Sequence, residues 1–291
     1  MKVLNLILYI FINAVFTGCS DSSTIGSKTI PSKKEALLTS VAEKKPAHNS
    51  IVWHWENRFE KEEVFKIKKW LKIVDQSVVK TFGKYPFEIH FYVHRSKSGN
   101  EPVPWAHTTR GKNQGVHFHV NTDYSLEEFL NDWTAQHEIS HLSIPFVGKE
   151  NAWFSEGYAT YMQCQVMMEQ RVMTIDEVNE KYALKLRNCK AAFNSDLPFP
   201  HAADSLKKAW NYPAMYWGGV SFFWKLNKLY KTELNQNLTE VITQYVSCCR
   251  ISDSSPEGIC LALDTITKTK IASQLLGEYQ TKSSRFLFSE F

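Results

Sequence analysis

His137, Glu138 and His141 stand in the pattern H-E-x-x-H, and Glu156 follows with fourteen residues between it and His141. On a helix, residues four apart stack on one face, so both imidazoles can reach one metal ion while Glu138 is turned aside by roughly 100°. A catalytic zinc takes three protein ligands and leaves its fourth position open, which makes Glu156 the candidate third ligand. Glu138 then misses the metal and still touches a water bound to it, the place for a general base. These residue types suit zinc-assisted hydrolysis, with one zinc ion as cofactor.

The elements that must position these residues follow from local pattern. Ser125-Leu126-Glu127-Glu128 is a capping box that opens the metal helix. Along it Leu126, Leu130, Trp133, His137 and His141 fall within one narrow arc, so the stripe that docks the helix carries both imidazoles inward. Glu156 lies among Trp153, Phe154, Tyr158 and Tyr161, a turn whose burial would leave a lone carboxylate costly without a cation.

Upstream, Ile51 to Trp55 reads as a strand, and Glu60 to Phe82 as an amphipathic helix stopped by Gly83. Phe87 to His94 and Gly115 to Asn121 alternate as strands, separated by a loop containing Gly99, Pro102 and Pro104. His90, His94, His117 and His119 recur at period two, either as one half-buried sheet face or as a second metal site, for which no paired carboxylate is at hand.

Downstream, Thr174-Ile175-Asp176-Glu177 caps a helix to about Ala192, and prolines at 198 and 200 break the chain. An aromatic helix opens near Trp210 and runs to Tyr230. Leu226 to Val246 and Ile259 to Gln280 are helical, with a turn at Asn235 to Asn237. The expected class is α+β: a small mixed sheet and the metal helix over 51–143, and a helical part over 144–291.

Residues 1–18 carry one charge, Lys2, before a continuous apolar run too short and one-sided for a permanent membrane span, which predicts a signal peptide and export. Its end, Phe16-Thr17-Gly18-Cys19, resembles the lipobox of bacterial lipoproteins, which implies acylation of Cys19; an ordinary signal peptide with a chance cysteine is the alternative. Ser20 after that cysteine leans toward the outer membrane of the cell envelope. Residues 19–50, rich in Ser, Thr and Lys, read as a flexible tether to a catalytic domain over 51–291. The net charge of +4 is modest and its lysines are scattered, which argues against a nucleic-acid partner.

Five of the six cysteines lie beyond Cys19. In an oxidising compartment Cys249 (or Cys248) with Cys260, and Cys164 with Cys189, are the candidate disulfides.

WFSEGYATY, read together with H-E-x-x-H, resembles the glutamate helix of the gluzincin metallopeptidases, the clan of the alanyl and glycyl aminopeptidases. The resemblance implies a thermolysin-like zincin fold and a peptide or protein substrate. It assigns His137, His141 and Glu156 to zinc and Glu138 to proton transfer. It further implies that the strand before the metal helix lies at the sheet edge and pairs with extended substrate, through Gly115, Val116, His117 and Phe118. The G-x-M-E-N motif that holds a free amino terminus in alanyl aminopeptidases is absent from that strand. The segment Trp210 to Val220 resembles the aminopeptidase Y-x-K-G-A region, which gives Tyr216, or Tyr212 in a shifted register, the role of donor to the oxyanion. A catalytically silent surface lipoprotein that recognises peptide or glycan, and a peptidase directed at glycoproteins, are the competing readings.

Overall fold

The computed structural model describes residues 49–97, 99–250 and 254–291. The expected signal peptide, the acylated Cys19 and all but the last two residues of the expected tether lie outside the described residues.

The described chain is α+β, with a small mixed sheet followed by a mostly helical part. Strand β1 (Ile51–Trp55) leads into helix α1 (Lys61–Phe82), which returns the chain to β2 (Ile89–Arg95), parallel to β1. The ends of α1 were legible in their chemistry: the Glu60 N–H donates to the Glu63 carboxylate at 2.7 Å, and Gly83 takes φ 83°, a conformation open to glycine. Strands β3 (Trp105–Thr109) and β4 (Gln114–Val120) complete a sheet of order β1-β2-β4-β3, in which only the β3–β4 pair is antiparallel.

Period-two alternation sorts the strand side chains. Ile89, Phe91, Val93, Val116, Phe118 and Val120 are fully buried. Helix α1 buries Ile67, Trp70, Leu71, Val74 and Val78, and Trp70 packs on Phe118 of this face at 5.6 Å between ring centroids. The other face carries His54, His90, Tyr92, His94, His107, His117 and His119 as stacked, half-buried rings.

Two expectations about this half need correction. First, β4 is an interior strand. Its residues Gly115, Val116, His117 and Phe118 pair with His90 to Val93 on one side and with Ala106 to Thr109 on the other, so the β4 backbone has no edge to offer a substrate. The edge beside it is β3, a short and mostly polar strand that sequence pattern did not disclose.

Second, the metal helix is broken. Helix α2 (Leu126–Asn131) starts at the predicted Ser125 capping box, but Asp132 is extended and the two histidines belong to a separate helix, α3 (Thr134–His141). The Asp132 carboxylate accepts from the Thr134 N–H at 2.8 Å, a local bond that competes with helix continuation.

Helix α4 (Ala152–Glu169) follows, then α5 (Ile175–Cys189), α6 (Phe199–Lys208) and α7 (Tyr212–Leu234). Pro200, read as a breaker, sits in the first turn of α6, where its missing N–H costs nothing. Helix α7 ends at Asn235 in the left-handed conformation, as the turn signal there predicts. Helices α8 (Leu238–Cys248), α9 (Pro256–Thr267), α10 (Ile271–Thr281) and α11 (Ser284–Leu287) close the domain.

The expected disulfides do not form. Cys248 is bonded to Cys249, whereas Cys164, Cys189 and Cys260 are buried free thiols. Cys164 stands beside Tyr182 of α5, while Cys189 reaches Ala214 of α7 seven residues further along that helix, an axial offset of about 10 Å. That separation is too great for a bridge. Cys260 is held in α9 beside Asp264 and Tyr230, with burial pushing its thiol above the ordinary range. No helix among the described residues is long and apolar enough to cross a membrane.

Candidate metal centre

Helix α3 is unusual for a buried helix. All eight of its residues are buried, yet the segment reads Thr-Ala-Gln-His-Glu-Ile-Ser-His. Buried polar groups need partners, and several here have them, although Gln136 Oε1 and His137 Nδ1 do not. Ser140 Oγ donates to the Gln136 carbonyl at 2.6 Å, and Gln136 Nε2 donates to Gln170 at 2.9 Å.

The C-terminal carbonyls, which no helix can satisfy internally, are met from four directions. Tyr85 Oη donates to Ile139 O at 2.7 Å and Ser143 Oγ to Ser140 O at 2.7 Å. Arg110 donates to His141 O at 2.8 Å and Arg250 Nε to Leu142 O at 2.9 Å. Two guanidiniums therefore stand at the negative end of the helix dipole. Burial, with Arg250 nearby, pulls Arg110 down to about 10, and burial also lowers Arg250.

On this fixed helix the two imidazoles meet α4. His137 Nε2 and His141 Nε2 lie 3.2 Å apart, and Glu156 Oε2 is 3.2 Å from the first and 3.4 Å from the second. Donors placed tetrahedrally around an ion at roughly 2.0–2.2 Å stand about 3.3–3.6 Å from one another. The three atoms thus match the face of such a tetrahedron within a few tenths of an ångström. His137, His141 and Glu156 form a group that can hold a metal ion, and it is the only group of three ligating side chains brought this close among the described residues.

The surroundings suit a cation. Ser155 Oγ lies 3.2 Å from His141 Nδ1 and fixes that ring from behind, as outer partners of metal-bound histidines do. Burial works against charge on His137, but the hydrogen bond and charge of Glu156, with Glu138 behind it, win and raise its pKa. Burial likewise opposes the Glu156 carboxylate, and the two imidazoles still hold it well below the usual range.

Glu138 is buried and, among the described residues, belongs to no metal-ligand group. Its Oε2 accepts from Thr108 Oγ1 at 2.8 Å, so the edge strand β3 orients the carboxylate. Tyr216 comes to the site from α7: its ring lies parallel to that of His137, 12° off and 6.0 Å between centroids. Tyr212 sits one turn away, 6.4 Å from Tyr216.

Of the predicted site residues, His137, Glu138, His141, Glu156 and Tyr216 are brought together. Gly115 to Phe118 of β4 are not part of the group. The histidines of the outer sheet face assemble no three ligand atoms close enough for one ion among the described residues. Thr108, Arg110, Ser155 and Arg250 were missed. Only Ser155, beside Glu156 in the chain, lay within reach of a local signal.

No protein-family model matches the chain, and no curated protein matches it by sequence.

Proposed function

We propose that this chain is a zinc-dependent peptidase of the gluzincin type, with a thermolysin-like arrangement of sheet, metal helix and glutamate helix. The observation that carries the reading is the convergence of His137 Nε2, His141 Nε2 and Glu156 Oε2 at 3.2–3.4 Å, with Glu138 one residue round the same helix.

When bound, zinc supplies a Lewis acid for the scissile carbonyl and a water ionisable near neutrality. Glu138, held by Thr108, takes the proton from the attacking water and delivers it to the leaving amine. Tyr216 donates its hydroxyl to the developing oxyanion, a contribution of about 3 kcal/mol for a donor of this kind. Tyr216 is preferred to Tyr212 because its ring lies against His137. Extended substrate adds to the edge of β3, the strand that also carries Thr108.

With the apolar start of the chain and the Cys19 segment, the reading extends to an exported enzyme held at a bacterial cell envelope by a lipid anchor. Metal analysis of the purified protein with cleavage of a peptide library tests the proposal. One zinc per chain and chelator-sensitive cleavage are expected. A chain that binds no metal at neutral pH, or cleavage that survives chelation, contradicts it.

A further inference from the structure

From the metal ligand His137, ring contacts run outward in two directions and end on two exposed indoles. Trp133 packs its edge on His137 at 5.5 Å and is 40 % exposed. On the other side Tyr216 leads to Tyr212, and Tyr212 to Trp210 at 5.9 Å, which is 47 % exposed.

Trp210 occupies a position that its backbone disfavours. Its N–H donates to Lys207 O at 3.0 Å and the Asn211 N–H to Leu206 O at 2.9 Å, the paired bonds of a helix end whose left-handed residue is ordinarily glycine. Trp210 takes φ 60° there, a strained conformation for a bulky side chain. Its indole is half in solvent, so burial offsets little of that strain. A residue kept against local backbone preference, exposed, and in ring contact with the run that reaches a metal ligand fits a surface that meets a ligand.

Resting on the peptidase reading, we infer that Trp210 and Tyr212 form an aromatic subsite for a bulky apolar side chain of the substrate, within a few residues of the scissile bond. The occupant is an aromatic or large aliphatic side chain, since the exposed Trp210 indole beside the partly buried Tyr212 ring presents apolar surface and no charge of its own to pair. The subsite sets which peptides are held and does not act on the reacting atoms.

The test uses peptides of Ala, Gly and Ser carrying one Phe moved through successive positions, with an all-Ala control. Binding is measured to the Glu138→Gln protein, and cleavage to the parent. One Phe position should bind about tenfold more tightly than the control, and Trp210→Gly in the same background should erase that preference. Trp210→Phe, which keeps an aromatic ring, should retain most of it. Trp210→Gly should also melt at the parent temperature or up to about 4 °C higher, because glycine relieves the strain. A preference that survives Trp210→Gly, or its absence from the parent, overturns the subsite. If no peptide is cleaved yet the Phe preference exists and depends on Trp210, the subsite stands and the peptidase reading fails. Cleavage with a preference indifferent to Trp210 has the opposite meaning.

Discussion

Gly157 of α4 and Gly219 of α7 face each other where the two helices cross, so closely that a Cβ on Gly157 would come within 2.5 Å of Gly219 Cα. A Cβ on Gly219 would overlap the Trp153 carbonyl in turn. Glu156 precedes the first glycine and Tyr216 lies one turn before the second. The glycine contact therefore sets how near the third ligand and the tyrosine come to the histidine pair.

Gly219→Ala should force α4 and α7 apart, at a cost of roughly 1–3 kcal/mol. The melting temperature should fall by about 2–4 °C for each kcal/mol. Metal affinity should fall with it, because Glu156 moves with α4. Gly277→Ala is the control: that helical glycine has nothing within 4 Å of a built Cβ, so alanine should be neutral or stabilising. Equal effects of the two substitutions in thermal melts would mean that the glycine contact does not set the helix crossing.

Thr108→Val removes the hydroxyl that donates to Glu138 Oε2 at 2.8 Å and keeps the shape of the side chain. A hydrogen bond to a charged group contributes about 1.5–3 kcal/mol, so kcat should drop by roughly 10- to 100-fold. Metal content should stay at the parent level. Steady-state kinetics showing parent kcat would mean that β3 does not orient the base.

Metal removal should destabilise the fold, since the three ligands join α3 to α4. At a metal concentration about 1,000 times the dissociation constant, binding adds about 4 kcal/mol, a melting shift on the order of 10 °C. Calorimetry with and without chelator reads this directly. His141→Ala or Glu156→Ala should melt at one temperature in both conditions.

The imidazoles of the outer sheet face should make the fold acid-sensitive. Burial and neighbouring imidazoles hold His117 and His119 at about 4, against an ordinary 6.5, and burial lowers His94 and His107. Groups depressed on folding stabilise the protein fully above their unfolded pKa. That stability is lost as pH falls from about 6.5 through 4. His119→Phe keeps the ring contacts to His94 and Trp105 and removes one titrating site. Its melting temperature should fall less steeply over that window, and a slope equal to the parent's would exclude His119 as a contributor.

Much of this architecture was written locally. Glu60 and Gly83 bound α1, alternation marked β2 and β4, and the Ser125 and Thr174 boxes marked the starts of α2 and α5. The histidine pair was legible because its geometry is intrahelical. What escaped depends on partners distant in the chain or on short-range competition. β3 has one buried side chain in five, Ala106, so no hydrophobic alternation announced it. Its insertion beside β4 is what makes β4 interior. The break at Asp132 turns on a side-chain bond that competes with a strong capping signal seven residues earlier, at Ser125. The arginine caps of α3 come from residues 110 and 250, brought together only by tertiary folding.

Whether His137, His141 and Glu156 hold a zinc ion beside which Glu138 carries the proton is decided by one paired measurement. Zinc content and peptide cleavage are determined for the parent and for Glu138→Gln, prepared side by side. One zinc per chain is expected in both, and cleavage in the parent should fall by at least about a thousandfold in the variant. Undiminished cleavage by the zinc-loaded Gln variant, or absence of zinc from the parent at neutral pH, would contradict it.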